Sequence, residues 1–197
     1  MEKFYYEIPT INRKDEAIQY IKEHIEYNSH VNGSGGLDSY IDNYEGWLNK
    51  LEEDYKRIPN EEHVPARTYF LIRENDNKII GMLNIRTSLN KKLMKYGNIG
   101  YGIRPTERGK GYNKINLYLG LKVSRVYGLD NVLLGAYLDN VASWKTMEAL
   151  GGTRINEYHD EETGHDVVDY NINVLESLDK YRDVYEVYIS DKNNIGV

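Results

Sequence analysis

The stretch Asn98-Ile-Gly-Tyr-Gly-Ile-Arg-Pro-Thr-Glu-Arg-Gly-Lys-Gly-Tyr-Asn113 decides how this chain is read. A short apolar segment runs through a proline turn into a glycine-flanked loop, and an amphipathic helix expected from about Asn113 to Tyr127 follows at once. A strand, a sharp turn and a helix start in that order gather free backbone N–H groups and the positive end of a helix dipole at one point. The stretch therefore predicts an anion site, with phosphate as the expected cargo.

Spacing separates three kinds of phosphate loop. A Walker loop needs Gly-Lys followed by Ser or Thr to hold a metal ion, whereas Lys110 is followed by Gly111 and Tyr112. A dinucleotide fingerprint needs a third glycine for close helix packing, but Lys114 stands there. It also needs an acid ending the next strand; Asp130 precedes that strand and Asp139 lies too far on. The remaining pattern, Arg/Gln-x-x-Gly-x-Gly/Ala, is met by Arg108-Gly-Lys-Gly111-Tyr-Asn113 except at its last position. Alone, such a turn reads equally well as a plain connection.

A second run accompanies it. Asn131-Val-Leu-Leu-Gly-Ala-Tyr137 is an apolar strand, Asn140-Val-Ala-Ser143 is a turn, and a short helix closes at Leu150-Gly-Gly152. The two halves, in this order, resemble the core of the GCN5-related N-acetyltransferase (GNAT) superfamily, which holds acetyl-coenzyme A. The resemblance covers roughly Arg67 to Val174 and is strongest from Ile80 to Gly152. Within the superfamily the chain looks most like a bacterial group of acetyltransferases with an elaborated N-terminal helical region. The residues carrying this are Gly35-Gly-Leu37, Trp47-Leu48, Val64-Pro65, Asn84-Ile-Arg86, Leu89-Asn90 and Gly100-Tyr-Gly-Ile-Arg-Pro105.

The resemblance implies an α/β (α+β) fold: a mixed, mostly antiparallel twisted sheet with splayed central parallel strands, flanked by helices. Those strands are Ile99 to Ile103 and Val132 to Tyr137. Their splay leaves peptide groups that a ligand must satisfy, and the amide-rich pantetheine arm fills the gap like an added strand. One domain is expected over 1–197: an N-terminal helical elaboration (1–65), a coenzyme-binding core (66–152) and a C-terminal hairpin and tail (153–197).

Roles follow from the resemblance. The backbone N–H groups from Arg108 through Gly109, Lys110, Gly111, Tyr112 and Asn113 cradle the pyrophosphate, with the Arg108 and Lys110 side chains as phosphate partners or solvated charges. The Ile103 backbone bonds the pantetheine or polarises the thioester carbonyl. Asn140 contacts the pantetheine arm while also capping the short helix, and Ser143 lies one turn further on. Asn113, for Gly or Ala, is tolerable because asparagine suits a helix start. Many superfamily members place a tyrosine four residues beyond the Ser/Ala position to protonate the leaving thiolate; Met147 stands there. Tyr112, Tyr137 and Tyr170 are the tyrosines whose places in the fold allow a substitute.

The implied chemistry is direct attack of a neutral amine on the thioester, with a base or water relay removing a proton and no covalent enzyme intermediate. Asp38, Glu45 and Asp169 are carboxylates that can face a cleft, and each also reads as an exposed helix or strand residue. The five histidines are scattered without ligand spacing, so no metal is expected. The acceptor is a small-molecule or peptide amine, and a homodimer is compatible with the sequence. Two other classes stay open: a non-catalytic coenzyme-A-binding sensor or partner module, and a scaffold docking a partner through Trp47 and its neighbouring tyrosines.

Composition bounds the rest. A formal charge of −6 argues against a nucleic-acid surface and favours a neutral or cationic acceptor. The absence of cysteine excludes disulfides and thiolate chemistry. No apolar run reaches membrane-spanning length and Met1-Glu-Lys-Phe is not a signal sequence, so a cytoplasmic protein is expected, with no membrane partner. Nineteen tyrosines against two phenylalanines suit a wet, partly apolar cleft.

Along the chain, Phe4 to Ile8 predicts a first strand. Asn12 with Asp15 predicts the cap of a helix carrying Ala17, Ile18, Ile21 and Ile25. Asn28 to Gly36 is a loop, and Leu37 to Tyr55 shows one long helical repeat. Ala66–Arg73 and Lys78–Arg86 form a hairpin around Glu74-Asn-Asp-Asn77. Thr87 to Tyr96 is a basic excursion carrying Lys91, Lys92 and Lys95. Thr153–Tyr158 and Asp166–Val174 form a second hairpin, and the tail holds a short helix or strand at Tyr181 to Ile189 before fraying.

Overall fold

Two antiparallel sheets meet edge to edge in the computed structural model, which describes residues 1–193. The first has strand order β1 (Phe4–Glu7), β2 (Ala66–Arg73), β3 (Lys78–Arg86), β4 (Ile99–Ile103). The second has β5 (Asn131–Tyr137), β7 (His165–Asn173), β6 (Thr153–Asp160), in that spatial order. Both expected hairpins form, and Asn77 takes the left-handed backbone that the tight turn between β2 and β3 demands (φ 56°).

Alternation along β2 divides the apolar residues between two layers. Tyr69 and Leu71 face a core with helix α3 (Tyr112–Val126), whereas Phe70 and Ile72 face α1 (Lys14–Glu26) and α2 (Tyr44–Lys56). Helices α4 (Val141–Glu148) and α5 (Val174–Tyr185) complete the α3 layer. The sheet is thus covered on both sides, which explains why β2 and β3 read as near-continuous apolar runs.

Three local expectations are corrected. Asn12 does not cap α1: a 3-10 turn, Ile11–Arg13, precedes the helix, and no side chain accepts from its first turn. Arg13 instead spreads its guanidinium over Glu7, Glu16 and Asn77. The long repeat from Leu37 is a 3-10 turn (Leu37–Tyr40) and then α2, parted where Asn43 caps by accepting from the Gly46 N–H at 3.0 Å. Both pieces bury the same face, so periodicity alone did not show the break. The tail helix starts at Val174, much earlier than expected, because Asn173 caps it through the Glu176 N–H at 3.0 Å. It is docked by Ser177 on the Leu150 carbonyl at 2.6 Å, and Ser190 bonds back to Phe4 at 2.8 Å. The expected fraying at 194–197 falls outside the described residues.

The tyrosines serve the core more than the cleft. Tyr6, Tyr20, Tyr44, Tyr69, Tyr118 and Tyr170 are among the largest fully buried side chains. All but Tyr20 bond their hydroxyls; that of Tyr6, for example, reaches both oxygens of Asn116. A phenol fills space like phenylalanine and needs one polar partner, which this core supplies.

Candidate active site

The alternation of an antiparallel ladder fixes which backbone groups reach the middle of the molecule. The Arg104 N–H donates to Ile80 at 2.8 Å and the Arg86 N–H to Asn98 at 2.7 Å. Even residues of this edge therefore bond β3, and Ile99, Tyr101 and Ile103 turn their peptide groups away from it. On the other sheet the Leu138 N–H donates to Asp166 at 2.8 Å, so Leu133, Gly135 and Tyr137 turn theirs toward β4. Among the described residues the two edges are hydrogen-bonded at one place: the Asn98 N–H donates to the Leu133 carbonyl at 2.7 Å, and the Leu133 N–H to Asn98 Oδ1 at 2.9 Å. Beyond it β4 and β5 part without a ladder, giving the expected splay.

At the far end of this gap lies the glycine loop. Gly109 and Gly111 have φ of 79° and 82°, and a Cβ on either would meet nothing within 4 Å. The N–H groups of Gly109, Lys110, Gly111, Tyr112 and Asn113 have no acceptor among the described residues, and no side chain caps α3. Arg108 does not join this cradle, because its N–H is given to Pro105 at 3.2 Å. Both basic side chains of the loop are also engaged within the chain. Arg108 donates to the Ile103 carbonyl (3.1 Å) and to Ser29 Oγ (2.7 Å), and Lys110 to Glu107 (2.8 Å). Asn113 Oδ1 is buried without a partner among the described residues.

Two carboxylates hold the loop's approach. Glu23 of α1 accepts from the Thr106 N–H (2.9 Å), the Thr106 hydroxyl (2.8 Å) and Arg104 (2.9 Å). Buried Glu107 receives Arg73, Lys78 and Lys110. Burial pushes its carboxyl up, but the bonds from Lys110, Arg73 and Lys78 outweigh this and bring it down to about 2.

An open cleft of about 1420 Å³ joins loop and gap to the N-terminal elaboration. Gly33 lies directly on β4: a Cβ there would stand 2.7 Å from the carbonyl oxygens of Gly100 and Met82. The alternating glycines of Gly100-Tyr-Gly102 thus serve loop docking on one face, while Tyr101 faces the other.

The structure gathers most of the expected site residues and separates a few. Ile103, Arg108, Gly109, Gly111, Tyr112, Asn113, Asn140 and Ser143 line the cleft. Asn140 caps α4 by accepting from Ser143 at 3.3 Å. Of the three tyrosines, Tyr137 borders the cleft and stacks on His165, with ring centroids 4.3 Å apart. The Tyr112 hydroxyl points away to Glu2, and Tyr170 is buried on Glu148 at 2.8 Å, off the cleft. Asp38 lines the cleft beside Ser34, whereas Glu45 does not. Sequence reading missed Tyr101, whose hydroxyl crosses to α4 and meets the Ser143 carbonyl (3.2 Å) and Oγ (3.3 Å). Burial pushes its phenol well up, opposed by the bond to Ser143. The pattern of β4 signalled which face Tyr101 would take, but not that α4 lay within its reach.

The fold is that of a GNAT-type acetyltransferase. Residues 8–153 match the acetyltransferase (GNAT) domain, and the chain belongs to that family. Among solved structures it is similar to a ribosomal-protein-S5-alanine acetyltransferase from Vibrio fischeri (16% identity, TM-score 0.68, 88% of this chain and 94% of that one). It is likewise similar to a spermidine N-acetyltransferase from Vibrio cholerae in a dodecameric structure (14%, TM-score 0.63, 90% and 98%). A GNAT-family acetyltransferase from Bacillus anthracis is a third (15%, TM-score 0.60, 89% and 99%). At these identities the likeness speaks for the fold. No curated protein matches the chain.

Proposed function

We propose that this chain transfers an acetyl group from acetyl-coenzyme A to an amine by direct attack on the thioester. The observation that supports it is the pair of strand edges at β4 and β5, unpaired beyond Asn98 and Leu133, together with five N–H groups of the glycine loop and the first turn of α3 that have no acceptor among the described residues. Peptide groups left open in this way suit an amide-rich chain ending in phosphates. Arg108 releases the Ile103 carbonyl when the pantetheine takes its place. Family membership and the amine acetyltransferases among the similar structures point the same way.

Acetyl-coenzyme A at about a hundred times its dissociation constant is expected to stabilise the parent by about 2.7 kcal/mol, read as a rise in unfolding midpoint. Gly111→Trp, compared with its own unliganded form, should show no rise, because the indole fills the exposed turn above the free N–H groups. No rise in the parent at millimolar ligand overturns the reading. Thiol release on adding amines then separates an enzyme from a silent binder.

Tyr101 is the hydroxyl we assign to the departing sulfur, in place of the tyrosine absent at Met147. Held neutral by burial, it donates a hydrogen bond to the developing thiolate in exchange for its long bonds to Ser143. Tyr101→Phe is expected to lower kcat about a hundredfold with acetyl-coenzyme A binding unchanged. Unchanged kcat removes Tyr101 from the chemistry.

A further inference from the structure

Beside the cleft-lining Gly135, the Asp169 carboxylate pairs with no cation among the described residues. Asp169 lies on β7 between Gly135 of β5 and Asn156 of β6. Since Val132, Leu134 and Ala136 point into the core, Gly135 and Tyr137 present the opposite face, the one the cleft runs over. The next row across the sheet is Tyr137, Val167 and Tyr158, and all three line the cleft.

Gly135 makes the carboxylate reachable. A Cβ at that position would stand 3.2 Å from Asp169 Oδ1 and 3.5 Å from the Lys95 carbonyl oxygen, so the missing side chain leaves a window beside the unpaired edge of β5. The charges around it are already spent. Lys95 is paired with Glu162, and Asp160 is held by Thr163 and by backbone N–H groups. Among the described residues the only side chain donating to Asp169 is Asn156, at 3.5 Å. Burial pushes the Asp169 carboxyl above its ordinary value, opposed by that bond, and Tyr158 beside it is also pushed up, by burial and then by Asp169.

We propose that Asp169 receives the acceptor's ammonium group through the Gly135 window and takes up its proton. The inference rests on the acetyl-transfer reading above. The ammonium loses one proton to the carboxylate, and the freed nitrogen lone pair forms the C–N bond to the thioester carbonyl. The nitrogen gives its second proton to water as the C–S bond breaks with its electron pair on sulfur, and the thiolate, hydrogen-bonded by Tyr101, takes a proton from solvent. The acceptor class this selects is a cationic amine rather than an alcohol or a neutral amide.

The test measures thiol release from acetyl-coenzyme A with 1,4-diaminobutane, butylamine and an alanyl dipeptide amide as probes, from pH 6 to 10. Asp169→Asn is expected to lower kcat/KM about a hundredfold near pH 7, and the loss should narrow toward pH 10, where an amine of ordinary pKa frees itself. Gly135→Ala, which covers the carboxylate without backbone strain, should raise KM for the amine and leave the midpoint shift with acetyl-coenzyme A intact. A loss equal at every pH, an unchanged KM in both variants, or no thiol release from the parent with any probe overturns the assignment. The coenzyme midpoint shift says separately whether the acetyl-transfer reading still stands. Asp169→Asn removes a half-buried, uncompensated charge, so its own midpoint at pH 7 should not fall.

Discussion

Glu107→Ala is expected to destabilise the protein by about 3–5 kcal/mol at pH 7, as loss of one partner from a buried ion cluster does. Its carboxylate accepts from Arg73 at 2.9 and 3.2 Å, Lys78 at 3.0 Å and Lys110 at 2.8 Å. Arg73 is itself buried, and of its acidic partners among the described residues it keeps Asp76 and a longer contact to Glu2 once Glu107 is gone. The sign of the pH dependence follows from the carboxyl being held near 2 against an ordinary 4.5. Its stabilisation is fully present above pH 4.5 and is lost as pH falls toward 2. Urea melts of the parent and Glu107→Gln across that range should therefore converge at the acid end. A constant difference between the two curves would show that shape, not charge, sets the effect. Because Glu107 also holds Lys110, the alanine variant loosens the glycine loop, and its affinity for acetyl-coenzyme A should fall alongside its stability.

Gly33→Ala is the second large effect. A methyl group there would overlap the Gly100 and Met82 carbonyls at 2.7 Å and the Tyr101 Cα at 2.8 Å, all of them backbone atoms that no rotamer change can move. Its φ of 76° adds about 1–2 kcal/mol of left-handed strain, and overpacking adds about 1–3. A total near 3 kcal/mol or more should appear as a lowered unfolding midpoint, together with lost acceptor turnover as the loop lifts off β4. Gly109→Ala is the control. Its φ of 79° is equivalent, yet its Cβ meets nothing, so it should show the strain alone. Equal losses in the two variants would mean that the 28–36 loop is not seated on β4.

Much of this was legible before any coordinates. The bounds of β2, β3 and β4 follow from apolar runs ended by Asn-rich or Pro turns, and Gly109 and Gly111 mark positions that need positive φ. Where reading failed, two local signals shared one period or a cap lay outside the pattern. The break at Asn43 hid inside a continuous apolar face, and Asn173 capped a helix from within what read as a strand. Arg108 and Lys110 looked available because a sequence does not show the Ile103 carbonyl, Ser29 or Glu107 coming within reach.

The sequence by itself determined the order of elements, the glycine loop that opens into α3, and the alternation that leaves odd residues of β4 and β5 with a free face. These are local properties, set by backbone geometry and by patterns of period two and 3.6. Only the tertiary structure decided which of those residues meet. Tyr101 reaches Ser143, Gly33 seats on Gly100, and Gly135 opens onto Asp169 across a strand pair whose register is fixed by burial of the opposite face. Such contacts join segments far apart in the chain, and packing alone selects among the many pairings that local pattern allows.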